Sequence, residues 1–237
     1  MLKKQLKRGS LAANRKNVLN DATKFTVVEA YKTARTNLMF SVAASERKAI
    51  VVTSCSPSEG KSITCVNTAL AFAQTGSKVL IIDADLRKPT VHSLLRLSGT
   101  NGLSTVLGRF SDLEDSITRD VAPNLDVMIA GTIPPNPAEL LGSPLMEEIL
   151  KLLQDHYDYI LIDSPPLLVV SDSLVMRNAI AGYLLVVREG YTTHPDLANA
   201  LQSIRLAEGK VLGFMKVGCS IKGAGYYKKY DYSYEYK

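Results

Sequence analysis

From Ala49 onward, short apolar runs alternate with longer amphipathic segments. The apolar runs are rich in β-branched residues and lie at Ile50–Thr53, Val79–Asp83, Leu125–Ala130, Tyr159–Asp163, Tyr183–Val187 and Val211–Val217. Because these runs are continuous rather than alternating, both faces of the sheet that they form should be buried. The pattern predicts an α/β fold of three layers, in which helices cover both faces of a mostly parallel sheet.

Helix-length segments separate the predicted strands. They lie at Ser62–Gln74, Val91–Arg96, Pro144–Asp155, Ser173–Ile180 and Pro195–Ala207. The first of them is followed by Gly76, which is typical of a residue just beyond a helix end. A further helix is predicted ahead of the first strand, at about Val27–Ser41.

The composition is that of an ordinary folded domain, with 46% hydrophobic and 22% charged residues in a chain of 237. The longest uncharged apolar run, Ile180–Val187, is far shorter than the roughly 20 residues that span a bilayer. The N-terminus lacks the apolar stretch of a signal peptide. Three scattered cysteines, Cys55, Cys65 and Cys219, do not form a disulfide framework. We therefore expect a cytoplasmic protein.

The net charge of +5 comes from one end of the chain. Residues 1–25 contain seven Lys or Arg and one acid, which leaves 21 bases against 22 acids elsewhere. This basic arm is interpreted either as a solvated lead-in or as a contact with anionic lipid headgroups or an acidic partner. The near-neutral body and the lack of a groove-reading motif argue against nucleic-acid binding.

A glycine–lysine–serine turn follows the first predicted strand. The chain reads Cys-Ser-Pro-Ser-Glu-Gly60-Lys61-Ser62 and then enters a predicted helix. At such a turn, backbone N–H groups surround the phosphates of a nucleoside triphosphate and the lysine neutralises them, while the Ser62 hydroxyl suits Mg²⁺. The strand before and the helix after it indicate a P-loop NTPase version of the α/β fold.

Three aspartates lie at the ends of predicted strands. Asp83 and Asp85 are two residues apart and therefore point the same way, and Asp163 ends another apolar strand. A single aspartate at a strand end is often only a turn former. Three such carboxylates beside a Gly-Lys-Ser loop are typical of a site for a magnesium-bound nucleotide.

These motifs together resemble those of bacterial tyrosine kinases that control capsule and exopolysaccharide synthesis. The resemblance runs from about Phe25 to the end and rests on the P-loop Pro57–Ser62, a second Walker-type motif at Ile81–Pro89, a Walker B motif at Ile160–Asp163 and a proline-rich block at Gly131–Leu141. A C-terminal tyrosine cluster completes it. The Asp-x-Asp-Leu-Arg-Lys-Pro string and the cluster discriminate this family from other P-loop ATPases.

The resemblance implies a site for ATP and Mg²⁺. The nucleotide-binding loop would comprise Ser58, Glu59, Gly60, Lys61, Ser62 and Ile63. Lys61 would contact the ATP phosphates, and Ser62 and Asp163 would hold Mg²⁺, Asp163 through water. Asp83 would also belong to the metal site. Together with Asp85, it would contact the incoming tyrosine hydroxyl. A phenol with a pKa near 10 is a poor nucleophile, and a nearby carboxylate can orient it and accept its proton.

In this family pattern the phosphate acceptor is the chain's own C-terminal cluster. Six of the 11 tyrosines lie in the last 12 residues, at Tyr226, Tyr227, Tyr230, Tyr232, Tyr234 and Tyr236. A mobile tail is the preferred interpretation, and an edge strand with alternating rings is the alternative. The predicted organisation is an arm at residues 1–25, a kinase domain at residues 26–221 with a self-association helix at 26–41, and a tail at 222–237.

Glu29, Lys32 and Arg35 resemble the family's Glu-x-x-Arg-x-x-Arg self-association motif, with Lys32 replacing the first arginine. They are predicted to meet a neighbouring copy in a closed ring, and the alternative is a solvated ladder of charges within one helix. Lysine cannot make the bidentate contact of arginine, which would weaken that interface.

The resemblance also implies a transmembrane activator whose cytoplasmic tail docks on the kinase domain and so associates it indirectly with the inner face of the plasma membrane. It further implies a phosphatase that removes phosphate from the tyrosines.

Two further observations bear on the nucleotide site. Ser58 stands where the family commonly has glycine, so a positive φ there would strain the loop and affect ATP binding. The alternative function is a positioning ATPase of the partition and septum-site type. Those ATPases carry a signature lysine where this chain has Ser56, and they lack a tyrosine tail.

Overall fold

One mixed sheet organises residues 15–219, the part of the chain that the computed structural model describes. Its strands are β1 (Ala49–Ser54), β2 (Val79–Asp83), β3 (Thr118–Ala122), β4 (Leu125–Met128), β5 (Tyr159–Asp163), β6 (Gly182–Arg188) and β7 (Val211–Val217). The helices are α1 (Phe25–Val42), α2 (Lys61–Ala73), α3 (Val91–Leu94), α4 (Leu103–Leu107), α5 (Pro137–Leu141), α6 (Pro144–His156) and α7 (His194–Leu206). Short 3₁₀ turns lie at Glu114–Ser116 and Leu174–Ala179.

The strand order is β3-β4-β2-β5-β1-β6-β7. The described neighbours pair in parallel except β3 and β4, which are antiparallel. Parallel strands end at the same edge of a sheet, so the loops after β1, β2 and β5 meet there. The register places Asp83 of β2 directly beside Asp163 of β5.

Each face of the sheet is covered by helices, which confirms the predicted three-layer α/β fold. Alternate strand residues face opposite sides. On β2, Leu80 and Ile82 pack with α6 and α7, whereas Ile81 packs with α1 and α2. The central strands are buried on both faces because each side chain meets a helix layer.

The structure differs from the sequence-based prediction at short and polar elements. Strand β3 was not predicted because it is an edge strand with largely exposed residues and therefore carries no apolar signal. The helix expected at Ser173–Ile180 is a 3₁₀ turn, and the short helices α4 and α5 were also missed. Such elements contain too few residues to show a helical period.

Residues 15–19 of the basic arm lie against the body. The Arg15 guanidinium donates to the Ser93 carbonyl of α3 at 2.7 Å. The Asn67 side chain of α2 accepts from the backbone of Leu19 and donates to that of Asn17, both at 2.9 Å. Residues 1–14 and the tyrosine cluster lie outside the described residues, and the domain limits stay a prediction. Within residues 15–219, no helix is long and apolar enough to cross a membrane.

We expect Leu80→Ala to destabilise the protein by about 2–5 kcal/mol, because it leaves a cavity at a completely buried position between two layers. The matched control is Leu206→Ala, where the side chain is 77% exposed and the expected change is within about 0.5 kcal/mol. Urea unfolding followed by circular dichroism measures both. Equal losses of stability in the two variants would contradict the placement of Leu80 between the sheet and a helix layer.

Candidate active site

The loop between β1 and α2 has two residues with positive φ. Gly60, just before the helix, has φ of 90° and Ser58 has φ of 66°. An added side chain at Gly60 would meet only ordinary contact with Val217, so the backbone angle rather than space favours glycine there. Ser58 has the strained conformation that its replacement of glycine led us to expect, at a cost of about 1 kcal/mol.

The strained loop is braced by the connection between β6 and α7. Arg188 donates to the Ser58 carbonyl at 2.9 Å. The buried Glu59 carboxylate accepts from the Ser56 backbone at 2.9 Å and from the Thr192 hydroxyl at 2.6 Å. The sequence does not predict the roles of Arg188 and Thr192, because nothing in local spacing links them to a loop more than a hundred residues away.

Lys61, the first residue of α2, points into a group of oxygen atoms. Its ammonium lies 2.8 Å from Asp85 Oδ2, 3.4 Å from Asp163 Oδ1 and 3.3 Å from the Ser62 hydroxyl. Burial alone would lower the pKa of Lys61, but the charges of Asp163 and Asp85 outweigh burial and hold that pKa above its ordinary value. Lys61 is therefore a fixed cation at this edge of the sheet.

Asp83 is buried and held by backbone groups. Its Oδ2 accepts from Thr90 and Val91 at 3.1 and 3.0 Å, and its Oδ1 accepts from Asp85 at 3.2 Å. Burial raises the pKa of the Asp83 carboxyl, and the neighbouring Asp163 charge raises it further. A raised pKa makes this carboxylate a better proton acceptor than an exposed aspartate.

Asp163 is also completely buried, and burial raises its pKa while Lys61 opposes the shift. Its Oδ2 has no hydrogen-bond partner among the described residues. A buried carboxylate oxygen without a partner is costly unless a ligand completes the site. Together with the Ser62 hydroxyl, this oxygen fits Mg²⁺, which prefers oxygen ligands.

Residues 15–219 contain no cluster of three or more histidine, cysteine or acidic residues suited to hold a metal ion by themselves. At nucleotide sites, Mg²⁺ is usually held by one or two protein oxygens together with water and phosphate, as Asp163 Oδ2 and the Ser62 hydroxyl could provide here. The residues present therefore fit a magnesium ion that arrives with a nucleotide.

The structure brings together most of the residues predicted for the site. Those around the Lys61 ammonium are Ser62, Asp83, Asp85 and Asp163, with Ser58, Glu59 and Gly60 in the preceding loop and Ile63 half-buried in the first turn of α2. The six tail tyrosines lie outside the described residues. Two cavities of about 300 and 480 Å³ lie at the opposite edge of the sheet, away from this chemistry.

The predicted self-association residues lie apart from this site, on α1. Glu29 and Lys32 form an exposed ion pair of 2.8 Å within the helix. The Arg35 guanidinium instead donates to the Ala71 carbonyl near the end of α2 at 3.1 Å. Arg35 is thus held against its own chain, while Glu29 and Lys32 face solvent. Their role in self-association stays a prediction.

The chain is similar to known proteins in both sequence and structure. The family described as AAA domain matches residues 47–208. Tyrosine-protein kinase YwqD of Bacillus subtilis is 42% identical over 190 residues, which cover 80% of this chain and 80% of that protein. The kinase domain of the Escherichia coli tyrosine kinase ETK is 35% identical with a TM-score of 0.78, over 81% of this chain and 75% of that one.

A more distant structure belongs to the alternative class. A complex of Cyanothece McdA with ATP is 22% identical with a TM-score of 0.63, over 73% of this chain and 71% of that one. This likeness shows a common fold alone. Because the identity to the kinases is much higher and spans four fifths of the sequence, the chain belongs to the bacterial tyrosine-protein kinase family and is itself a tyrosine-protein kinase.

Proposed function

We propose that this kinase transfers the terminal phosphoryl group of ATP to its own C-terminal tyrosines, between subunits of an oligomer, and so regulates capsular or exopolysaccharide synthesis and export. The observation that carries the proposal is the arrangement of Lys61 against Asp85 and Asp163 at the mouth of the P-loop. Phosphoryl transfer needs a fixed cation at the phosphates and a carboxylate at the attacking hydroxyl, and this edge of the sheet supplies both.

In the proposed binding step, the loop Ser58–Ile63 surrounds the ATP phosphates with backbone N–H groups and Lys61 neutralises their charge. The hydrogen bonds from Arg188 and Thr192 hold the loop in its strained conformation. Mg²⁺, when bound, would be held by Ser62, Asp83 and Asp163 and would neutralise charge on the phosphates.

In the proposed transfer step, Asp83, with Asp85 beside it, orients the tyrosine hydroxyl and accepts its proton. The raised pKa of Asp83 supports this role, because a carboxyl group is a more effective base when its pKa approaches the working pH. Lys61 stays protonated throughout, since its pKa lies above the ordinary value.

The proposed acceptors are the six tail tyrosines, and their modification would drive a cycle. Each phosphate adds a charge of about −1.5 to −2 near neutral pH. Several such charges within 12 residues would repel one another and the acidic site, which would release the tail and loosen the oligomer. A phosphotyrosine phosphatase would restore the starting state.

The proposed setting is the cytoplasmic face of the plasma membrane. We assign membrane association to a separate transmembrane activator whose cytoplasmic tail docks on the kinase domain. Oligomerisation through α1 would bring the tail of one subunit to the P-loop of the next.

We expect Lys61→Met to lower tyrosine phosphorylation by about a hundredfold or more, because the fixed cation at the transferred phosphoryl group is lost. Transfer from radiolabelled ATP is measured under conditions in which the unmodified chain is active. The control is Lys151→Met on the exposed surface of α6, which should keep full activity. A folded Lys61→Met protein with full activity would refute the proposed site.

We expect Asp83→Asn to remove most phosphoryl transfer while nucleotide affinity changes by less than about threefold, because an amide cannot accept the phenolic proton. Affinity is measured by titration with a fluorescent ATP analogue. Asp126→Asn is the control, since Asp126 is a buried aspartate at the opposite edge of the sheet. Equal losses of affinity and transfer would make Asp83 a metal-holding residue only.

Transfer between subunits is tested by mixing two proteins. One carries Lys61→Met and intact tyrosines, and the other is active but has Phe at all six tail positions. We expect the inactive chain to become phosphorylated, as read by mass spectrometry of its tail. Its failure to be modified at high protein concentration would indicate transfer within one subunit.

The same mixture tests the surface of α1. Adding Glu29→Ala and Lys32→Ala to both proteins should reduce transfer and shift sedimentation toward the monomer. Arg35 is left unchanged because its contact with Ala71 supports the fold. Unaltered transfer and sedimentation would assign Glu29 and Lys32 to the solvated ion pair alone.

A further inference from the structure

A buried carboxylate outside the proposed chemistry lies close to it in the fold. Asp172 is 1% exposed and belongs to the long connection between β5 and β6. It accepts two hydrogen bonds from the Arg87 guanidinium, at 2.7 and 3.0 Å. This is the two-pronged geometry in which arginine binds a carboxylate most tightly and with the most defined orientation.

Arg87 lies within the turn that carries Asp85. The Lys88 backbone donates to both the carbonyl and the carboxylate of Asp85, at 3.2 and 3.0 Å, and so closes a turn of four residues. Arg87 is an interior residue of that turn. A restraint on the Arg87 side chain is therefore a restraint on the direction of the Asp85 carboxylate, which contacts Lys61 at 2.8 Å.

The other end of the pair is anchored to the sheet. The connection that carries Asp172 begins directly after Asp163. Its first part is fixed to the end of β1, because the Thr53 hydroxyl donates to the Pro165 carbonyl at 2.9 Å and Leu167 donates to the Ser54 carbonyl at 2.9 Å. The pair thus joins the loop after β2 to the loop after β5.

We infer that Arg87 and Asp172 form a positioning pair that sets the placement of Asp85 against Lys61, beside Asp163, for phosphoryl transfer. The inference rests on the proposed roles of Lys61, Asp85 and Asp163. Neither member of the pair touches the reacting atoms. Their effect is on the geometry of the Asp85 carboxylate, and displacements of about 1 Å at such positions can cost a hundredfold in rate.

A second pair of a half-exposed arginine and a buried aspartate, joined by a single contact, provides the control. Arg119 is half exposed and lies 2.9 Å from the buried Asp126, just as the half-exposed Arg87 lies against the buried Asp172. The control pair joins the neighbouring strands β3 and β4 and lies at the opposite edge of the sheet. Breaking it should cost stability in a similar way without reaching the site.

The test compares five variants with the unmodified chain: Arg87→Gln, Arg87→Lys, Asp172→Asn, the double variant Arg87→Gln with Asp172→Asn, and Arg119→Gln. A synthetic peptide of residues 225–237 serves as acceptor. Three quantities are measured, namely kcat and KM for ATP, the Kd of a fluorescent ATP analogue, and Tm.

We expect kcat to fall by about tenfold to a hundredfold in Arg87→Gln and Asp172→Asn, with Kd for the analogue within about threefold of the unmodified value. Arg87→Lys should be intermediate, because lysine keeps the charge but not the two-pronged contact. The double variant replaces the ion pair by two amides, so it should recover Tm but not kcat. Arg119→Gln should lower Tm and leave kcat unchanged.

Three results would overturn the positioning role: a kcat within twofold of the unmodified chain in Asp172→Asn, a double variant that recovers kcat together with Tm, or an equal loss of kcat in Arg119→Gln. If the unmodified chain transfers no phosphate to tyrosine, the proposed function fails instead. The same variants are then compared by the rate at which they hydrolyse ATP and release phosphate. An unchanged rate would overturn the positioning role of Arg87 and Asp172 without reference to tyrosine phosphorylation.

Discussion

The structure depends on a charge imbalance at one edge of its sheet. Three largely buried carboxylates, Asp83, Asp85 and Asp163, share that edge with the ammonium group of Lys61. Buried charges of like sign raise one another's pKa and are tolerated only with compensating partners. Backbone N–H groups compensate Asp83, and Lys61 compensates Asp85 and one oxygen of Asp163. The remaining oxygen, Asp163 Oδ2, has no hydrogen-bond partner among the described residues and therefore suits a cationic ligand.

The parallel sheet makes this imbalance possible. Because β2 and β5 run in the same direction and in register, Asp83 and Asp163 are forced to end side by side. The apolar layers on both faces stabilise this arrangement, because their close packing holds the central strands in place against the repulsion between the buried carboxylates. The ends of the central strands are therefore rigid, and the surrounding loops pack against them.

Much of the central sheet and of the phosphate loop could be predicted from the sequence. Continuous β-branched runs such as Val79–Asp83 identify the central strands. The phosphate loop is identified by the sequence Gly60-Lys61-Ser62, which lies between a predicted strand and a predicted helix. The rest depends on contacts between distant segments. The pair Arg87 and Asp172 spans 85 positions, and the contact of Glu59 with Thr192 spans 133. Neither leaves a local pattern, and the polar edge strand β3 leaves none either.

The attachment of the N-terminal segment to α2 affects how shortened versions of this chain will behave. Asn67 is buried in the same helix that begins with Lys61, and its amide is completed by the backbone of Asn17 and Leu19. A chain cut back to the start of α1 would leave that amide without these partners. Kinetic differences between the 237-residue chain and such a shortened chain will therefore report on altered packing of the phosphate-loop helix as well as on the loss of basic charge.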